Sequence, residues 1–158
     1  MRSGAGSSLG GSASLARRVL SMNLESEPWF AGELSRDRAE DRLISFPAGC
    51  FLVRKGARGF AICLRFFREG DKLDVFHIQI YSSVDPVMDA AGSKVGEMKP
   101  VFWVEEGAKF SSVLEMINYY MANPNAFFDN LEGAKQEHAG YKLSPCSTVP
   151  EKTYDGRM

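Results

Sequence analysis

Arg54 is a charge at the end of an apolar strand. In Cys50-Phe51-Leu52-Val53-Arg54, alternation puts Arg54 on the side of Leu52, with Phe51 and Val53 on the other. A guanidinium cannot neutralise itself, and an unpaired buried charge is costly, so Arg54 needs an anionic partner. That partner is either an internal carboxylate, such as Asp37 or Glu40, or a ligand. Other groups suited to an anion converge on it. In the run 74–81, His77 and Gln79 share one face, with Phe76, Ile78 and Ile80 on the opposite one. Arg36 falls in the first turn of a helix, within reach of the sheet edge. Lys55-Gly56-Ala57-Arg58-Gly59 is a tight connection directly after Arg54, whose glycines let backbone N–H groups turn inwards as an anion nest between Lys55 and Arg58. Together these residues describe a pocket for a doubly charged oxyanion.

Catalytic chemistry has no comparable set of residues. No cysteine stands at the C-x5-R spacing of a phosphatase loop, and there is neither a G-x-S-x-G elbow nor the glycine-rich loop and catalytic Asp motifs of a kinase. Two histidines and three cysteines without a C-x-x-C pair argue against a metal site, and no cofactor is implied. The expectation is a binding module with no catalytic residue.

Two helices and a set of strands must hold this pocket. Ser35 can cap the segment 36–44, with Asp37 at the positive end of the dipole, Leu34 stapling onto Ala39, and Ala39 and Leu43 on one face. Glu40 and Asp41 are then expected towards water. Ser112-Val113-Leu114-Glu115 reads as a capping box, and Val113, Met116, Ile117 and Tyr120 repeat at helical steps until Asn123-Pro124. Between the helices, 50–54, 59–67, 72–81 and 101–104 read as short strands, nearly continuously apolar, as in a sheet covered on both faces. Helix, strands, helix implies an α+β domain, a central antiparallel sheet flanked by two α-helices. Residues 82–100, with Pro86, Gly92, Gly96 and Pro100, read as a flexible excursion.

The chain has 158 residues and a formal net charge of -1, which suits one domain and lacks the basic excess of a nucleic-acid binder. No apolar run approaches the roughly 18 residues of a membrane span. Cys50, Cys63 and Cys146 are too scattered for a disulfide framework and point to a reducing, cytoplasmic setting. Residues 1–27 read as a Gly/Ser-rich disordered leader, with an Arg-rich transit peptide as the alternative for the segment 1–23. Residues 28–146 form the expected domain, a monomer, and 147–158 a flexible tail in which Tyr154 could accept a phosphate.

Four segments carry a family resemblance: Trp29-Phe30-Ala31-Gly32-Glu33-Leu34-Ser35-Arg36, Gly49-Cys50-Phe51-Leu52-Val53-Arg54, Phe76-His77-Ile78-Gln79-Ile80 and Lys109-Phe110-Ser111-Ser112-Val113-Leu114. In this order they closely resemble a Src-homology-2 (SH2) domain over about residues 28–145. The resemblance implies a module that binds tyrosine-phosphorylated proteins or peptides across its sheet edge, as an adaptor does in tyrosine-kinase signalling. It implies that Arg54 clamps the phosphate, that Arg36 contacts phosphate and tyrosine ring, and that His77 shapes the ring pocket. Many family members carry hydroxyl residues where Gly56 and Ala57 stand, and a lysine where Gln79 stands. Backbone N–H groups, Lys55 or Arg58 must then supply donors. The alternative is an interaction domain of this fold with weakened or phosphate-independent binding.

Peptide specificity is expected on the far side of the His77 strand. Ile78 suggests an apolar groove for a hydrophobic residue about three after the phosphotyrosine. Gln79, Tyr119, the connection 121–140 and Glu105-Glu106-Gly107 are expected around it, with Trp103 packed inside its strand.

Overall fold

A computed structural model describes residues 24–105 and 107–146; the segment 1–23, Glu106 and the tail 147–158 with Tyr154 lie outside the described residues. Branched and aromatic side chains dominate β2 (Cys50–Gly56), β3 (Gly59–Arg68) and β4 (Lys72–Gln79), and these pair antiparallel as the centre of the main sheet. Two short strands, β1 (Phe30–Glu33) and, near the C-terminus, β8 (Ser144–Pro145), add to the same edge of β2, both parallel to it. A second sheet is built from β5 (Tyr81–Met88), β6 (Lys94–Glu105) and β7 (Ala108–Phe110). The helices are α1 (Arg36–Leu43), α2 (Val113–Ala122) and α3 (Pro124–Phe128). The architecture is α+β, as read from the sequence.

Alternation along β2 divides the interior in two. Phe51 and Val53 point into the larger core with Trp29, Leu64, Phe66, Phe76 and the α2 residues Val113, Met116, Ile117 and Tyr120. Leu52 points the other way, into a smaller core with Cys63, Val75, Cys146 and the α1 residues Ala39 and Leu43. The described chain begins inside the larger core, where Leu24 is fully buried.

Both helix starts follow their caps. Ser35 Oγ accepts from the Arg38 N–H at 3.2 Å, and Ser112 Oγ from the Glu115 N–H at 3.0 Å. Glu115 reaches one residue further back than a capping box requires, accepting from the Ser111 N–H at 2.8 Å and the Ser111 hydroxyl at 2.7 Å. Pro124 then opens α3 at a position where its missing N–H costs nothing.

Two expectations are corrected here. Residues 82–100 are not a flexible excursion: 81–88 and 94–105 form a long hairpin in which Ser83 lies opposite Val101 and Pro86 opposite Met98. Its tip is tied by Asp89, whose Oδ1 accepts from the N–H groups of Ala91 at 2.9 Å and Ser93 at 2.8 Å. Pro86 is tolerated because β5 is an edge strand, and Pro100 because β7 meets β6 only further on, between 102 and 105. The run 72–81 is also not one strand. It breaks at Ile80, which is buried and passes the chain from the first sheet to the second.

Candidate functional site

β2 brings Arg54 to the N-terminal end of α1, and its side chain is half-buried there. Its Nε–H donates to Cys63 Sγ at 3.3 Å and its Nη1 to the Leu34 carbonyl at 3.3 Å. None of the ion pairs among the described residues includes it, so neither Asp37 nor Glu40 neutralises it. Of the two partners open to Arg54 in the sequence, the internal carboxylate is excluded within the described residues.

Glu40 faces the site and not simply water. Its Oε2 lies 2.8 Å from His77 Nε2 and 3.6 Å from Arg36 Nε. His77 is nearly covered, with 6% of its side chain exposed, and its Nδ1 is 3.3 Å from Cys63 Sγ. Strand register explains the contact, since Cys63 on β3 is the direct neighbour of His77 on β4. Burial pushes the imidazole below its ordinary range; the Glu40 hydrogen bond opposes this, while Arg36 and Arg54 add to it. Burial raises the Cys63 thiol, with the Arg54 hydrogen bond pulling the other way.

The connection after Arg54 is a two-residue turn between paired Gly56 and Gly59. Only Gly59 of the two has a positive φ, 104°, so the turn needs one glycine for its backbone. Gly56 serves space instead: a Cβ there would stand 2.6 Å from Arg54 Nη1. A cleft of about 480 Å³ lies beside it, bordered by Glu33, Leu34, Ser35, Lys55, Gly56 and Ala57. Lys55 thus reaches the cleft, whereas Arg58 is exposed at the tip of the turn. Gln79 lies on this face too, away from Ile78, and its Nε2 donates to the carbonyls of Arg58 at 3.1 Å and Phe60 at 3.2 Å. It holds the turn down.

Across β4 the site changes character. Ile78, Val104, Glu105, Tyr120, Phe127 and Leu131 are among the residues lining a cavity of about 30 Å³, roughly the share of one water molecule. Tyr120 OH donates to Glu105 Oε2 at 3.5 Å, and burial together with that carboxylate pushes the phenol up to about 12. Tyr119 is exposed, its ring 5.4 Å from that of Phe110. Trp103 sits within β6, stacked on Tyr81 at 6.0 Å with Lys109 over its ring. Glu106 lies outside the described residues.

A family model, that of the SH2 domain, matches residues 29–120. The chain belongs to the SH2 family. SH2 domains are phosphotyrosine-binding signalling modules and are generally non-catalytic. Among solved structures, the solution structure of the SH2 domain of human proto-oncogene protein VAV1 is similar in fold, with a TM-score of 0.50 and 24% identity over 81% of this chain and 75% of that one. No curated protein matches. Among the described residues of this SH2 domain, no helix is long and apolar enough to cross a membrane.

Arg54, His77, Lys55, Gly56 and Arg36 therefore gather at one end of α1, and Ile78 and Glu105 line the cavity on the other side of β4, where Tyr120 and not the expected Tyr119 is a wall. The sequence reading missed Cys63 as a member of the first group, and it offered Glu40 as a partner for Arg54 and not for His77 and Arg36. The three- and four-residue spacing of Arg36, Glu40 and Leu43 on α1, and the strand register of Cys63, were the available signals.

Proposed function

We propose that this SH2 domain binds tyrosine-phosphorylated peptide segments, with the phosphate held by Arg54 and Arg36 and the tyrosine ring placed against His77. The observation that carries this reading is the half-buried Arg54 guanidinium, held by a thiol and one carbonyl but by no described carboxylate. Phosphotyrosine brings about −1.5 to −2 charges and three acceptor oxygens, a match for a forked donor. Lys55 and the backbone of the Gly56–Gly59 turn add donors where the chain has no hydroxyl side chain. A phosphoserine is too short to reach a half-buried guanidinium, so depth selects tyrosine.

Downstream residues of the peptide are read across β4. Ile78 with the wall formed by Val104, Phe127 and Leu131 takes an apolar side chain about three positions on, and the small cavity widens to admit it. Glu105 and Tyr120 border that groove. In this reading residues 28–146 act as a monomeric, cytoplasmic adaptor unit between a leader and a tail, without catalysis.

Two charge-assisted hydrogen bonds worth ~1.5–3 kcal/mol each amount to about 3–6 kcal/mol, a preference of roughly a hundred- to ten-thousandfold for the phosphorylated form. Calorimetry with a matched pair of tyrosine peptides, phosphorylated and unmodified, measures it. Equal binding of the pair would replace this reading with the phosphate-independent one.

A further inference from the structure

Five side chains form one continuous polar run beneath the site. Arg54 Nε–H donates to Cys63 Sγ at 3.3 Å, and Cys63 Sγ meets His77 Nδ1 at 3.3 Å. His77 Nε2 meets Glu40 Oε2 at 2.8 Å, and Arg36 Nε stands 3.6 Å from that same oxygen. A carboxylate only accepts, so Nε2 carries the imidazole proton. In the neutral ring Nδ1 is then an acceptor, and the Cys63 S–H is the donor that reaches it. Every bond of the run thus has a fixed direction, from Arg54 through Cys63 and His77 to Glu40, with Arg36 arriving from the other side.

Glu40 is the one anion in that run, and it holds two of the residues to which the phosphotyrosine reading assigns contacts. We propose that Glu40 is a specificity-determining residue of the pocket, one whose charge competes with the incoming phosphate for Arg36 while its oxygen keeps His77 in the Nε2–H form. The inference rests on the phosphotyrosine reading. Its two parts act in opposite directions. The charge weakens binding, because Arg36 must leave Glu40 and a dianion must approach a carboxylate. The acceptor strengthens it, because an imidazole without a partner at Nε2 is free to change tautomer and to donate from Nδ1, where it no longer accepts from Cys63.

Glu40→Gln separates the parts, since an amide oxygen still accepts from His77 but carries no charge. Glu40→Ala removes both. Calorimetry of the wild type and both variants with phosphorylated and unmodified forms of one tyrosine peptide is paired with nitrogen NMR of the His77 ring. Glu40→Gln is expected to bind the phosphopeptide roughly two- to fivefold tighter, the scale of an exposed ion pair released. His77 is expected to remain in the Nε2–H form in that variant and to give mixed tautomers in Glu40→Ala, which does not share the gain. Unchanged or weaker binding by Glu40→Gln, or an Nδ1–H ring in the wild type, overturns the proposal. Failure of the phosphotyrosine reading looks different: the wild type would then hold both peptides equally, whereas failure of the Glu40 proposal alone leaves the wild-type preference intact.

Discussion

Two arginines lie under α1, one at each end, and their surroundings differ in what the helix offers them. Arg65, on β3, is 8% exposed; its Nε–H donates to the Phe46 carbonyl at 3.3 Å and its Nη2 to the Ile44 carbonyl at 3.0 Å. These carbonyls belong to the C-terminal end of α1 and the turn beyond it, where the helix leaves acceptors unmet and its dipole is negative. Arg54 stands at the opposite end, where the helix presents N–H groups and a positive pole. One guanidinium is therefore used up by the fold, and the other is the one to which the proposed reading assigns the phosphate. The lesson is that a charge in an apolar strand indicates function only once the polarity of the covering helix end is known.

The largest expected effects come from exchanging that pair. Arg54→Lys keeps a charge but loses the fork, and phosphopeptide affinity should fall about a hundredfold with thermal stability unchanged. Arg65→Met should do the reverse. Two carbonyls, one buried and one partly buried, lose their donors at a cost of about 2 kcal/mol in chemical denaturation, while the folded protein binds peptide as before. If Arg65→Met lost affinity and kept its stability, the contrast between the two ends would be wrong.

Gly56→Ala gives a smaller effect on the ligand side alone. The added methyl meets the flexible end of Arg54, not backbone, so the guanidinium shifts and the fold does not. Affinity should drop about tenfold, the scale of one charge-assisted hydrogen bond, with little change in melting temperature.

The smallest effect is a slope with pH. His77 takes up its proton below the 6.5 of a free imidazole, so between those values the unfolded chain binds more protons than the folded one. Stability should be insensitive to this group above about pH 6.5 and decline as acid is added below it. His77→Gln, which can still reach Glu40, should flatten that decline in ligand-free denaturation curves.

Much of this contrast was legible beforehand on one side only. Arg54, Arg36 and His77 could be found because strand alternation and helix capping are local rules, and the α+β order followed from the same rules. Arg65 sits in an equally apolar run, 59–67, and escaped notice because its partners are backbone carbonyls, which leave no mark in sequence. Glu40 was read both as facing water and as a possible partner of Arg54, and its contact with His77 was missed, because helical periodicity gives a side chain's direction but not the neighbouring strand that meets it. The hairpin 81–105 was misjudged because proline and glycine were read as breaks, although edge strands accept both. The groove around Ile78 draws on β4, β6, α2 and α3 at once, and only tertiary packing brings those walls together.

The placement of β1 and β8 has one more result. Both flank the side of β2 remote from β4, so the first and last strands of the described residues lie on the far side of the sheet from the strand that carries His77 and Ile78. One strand, β2, thereby clasps both ends of the described residues.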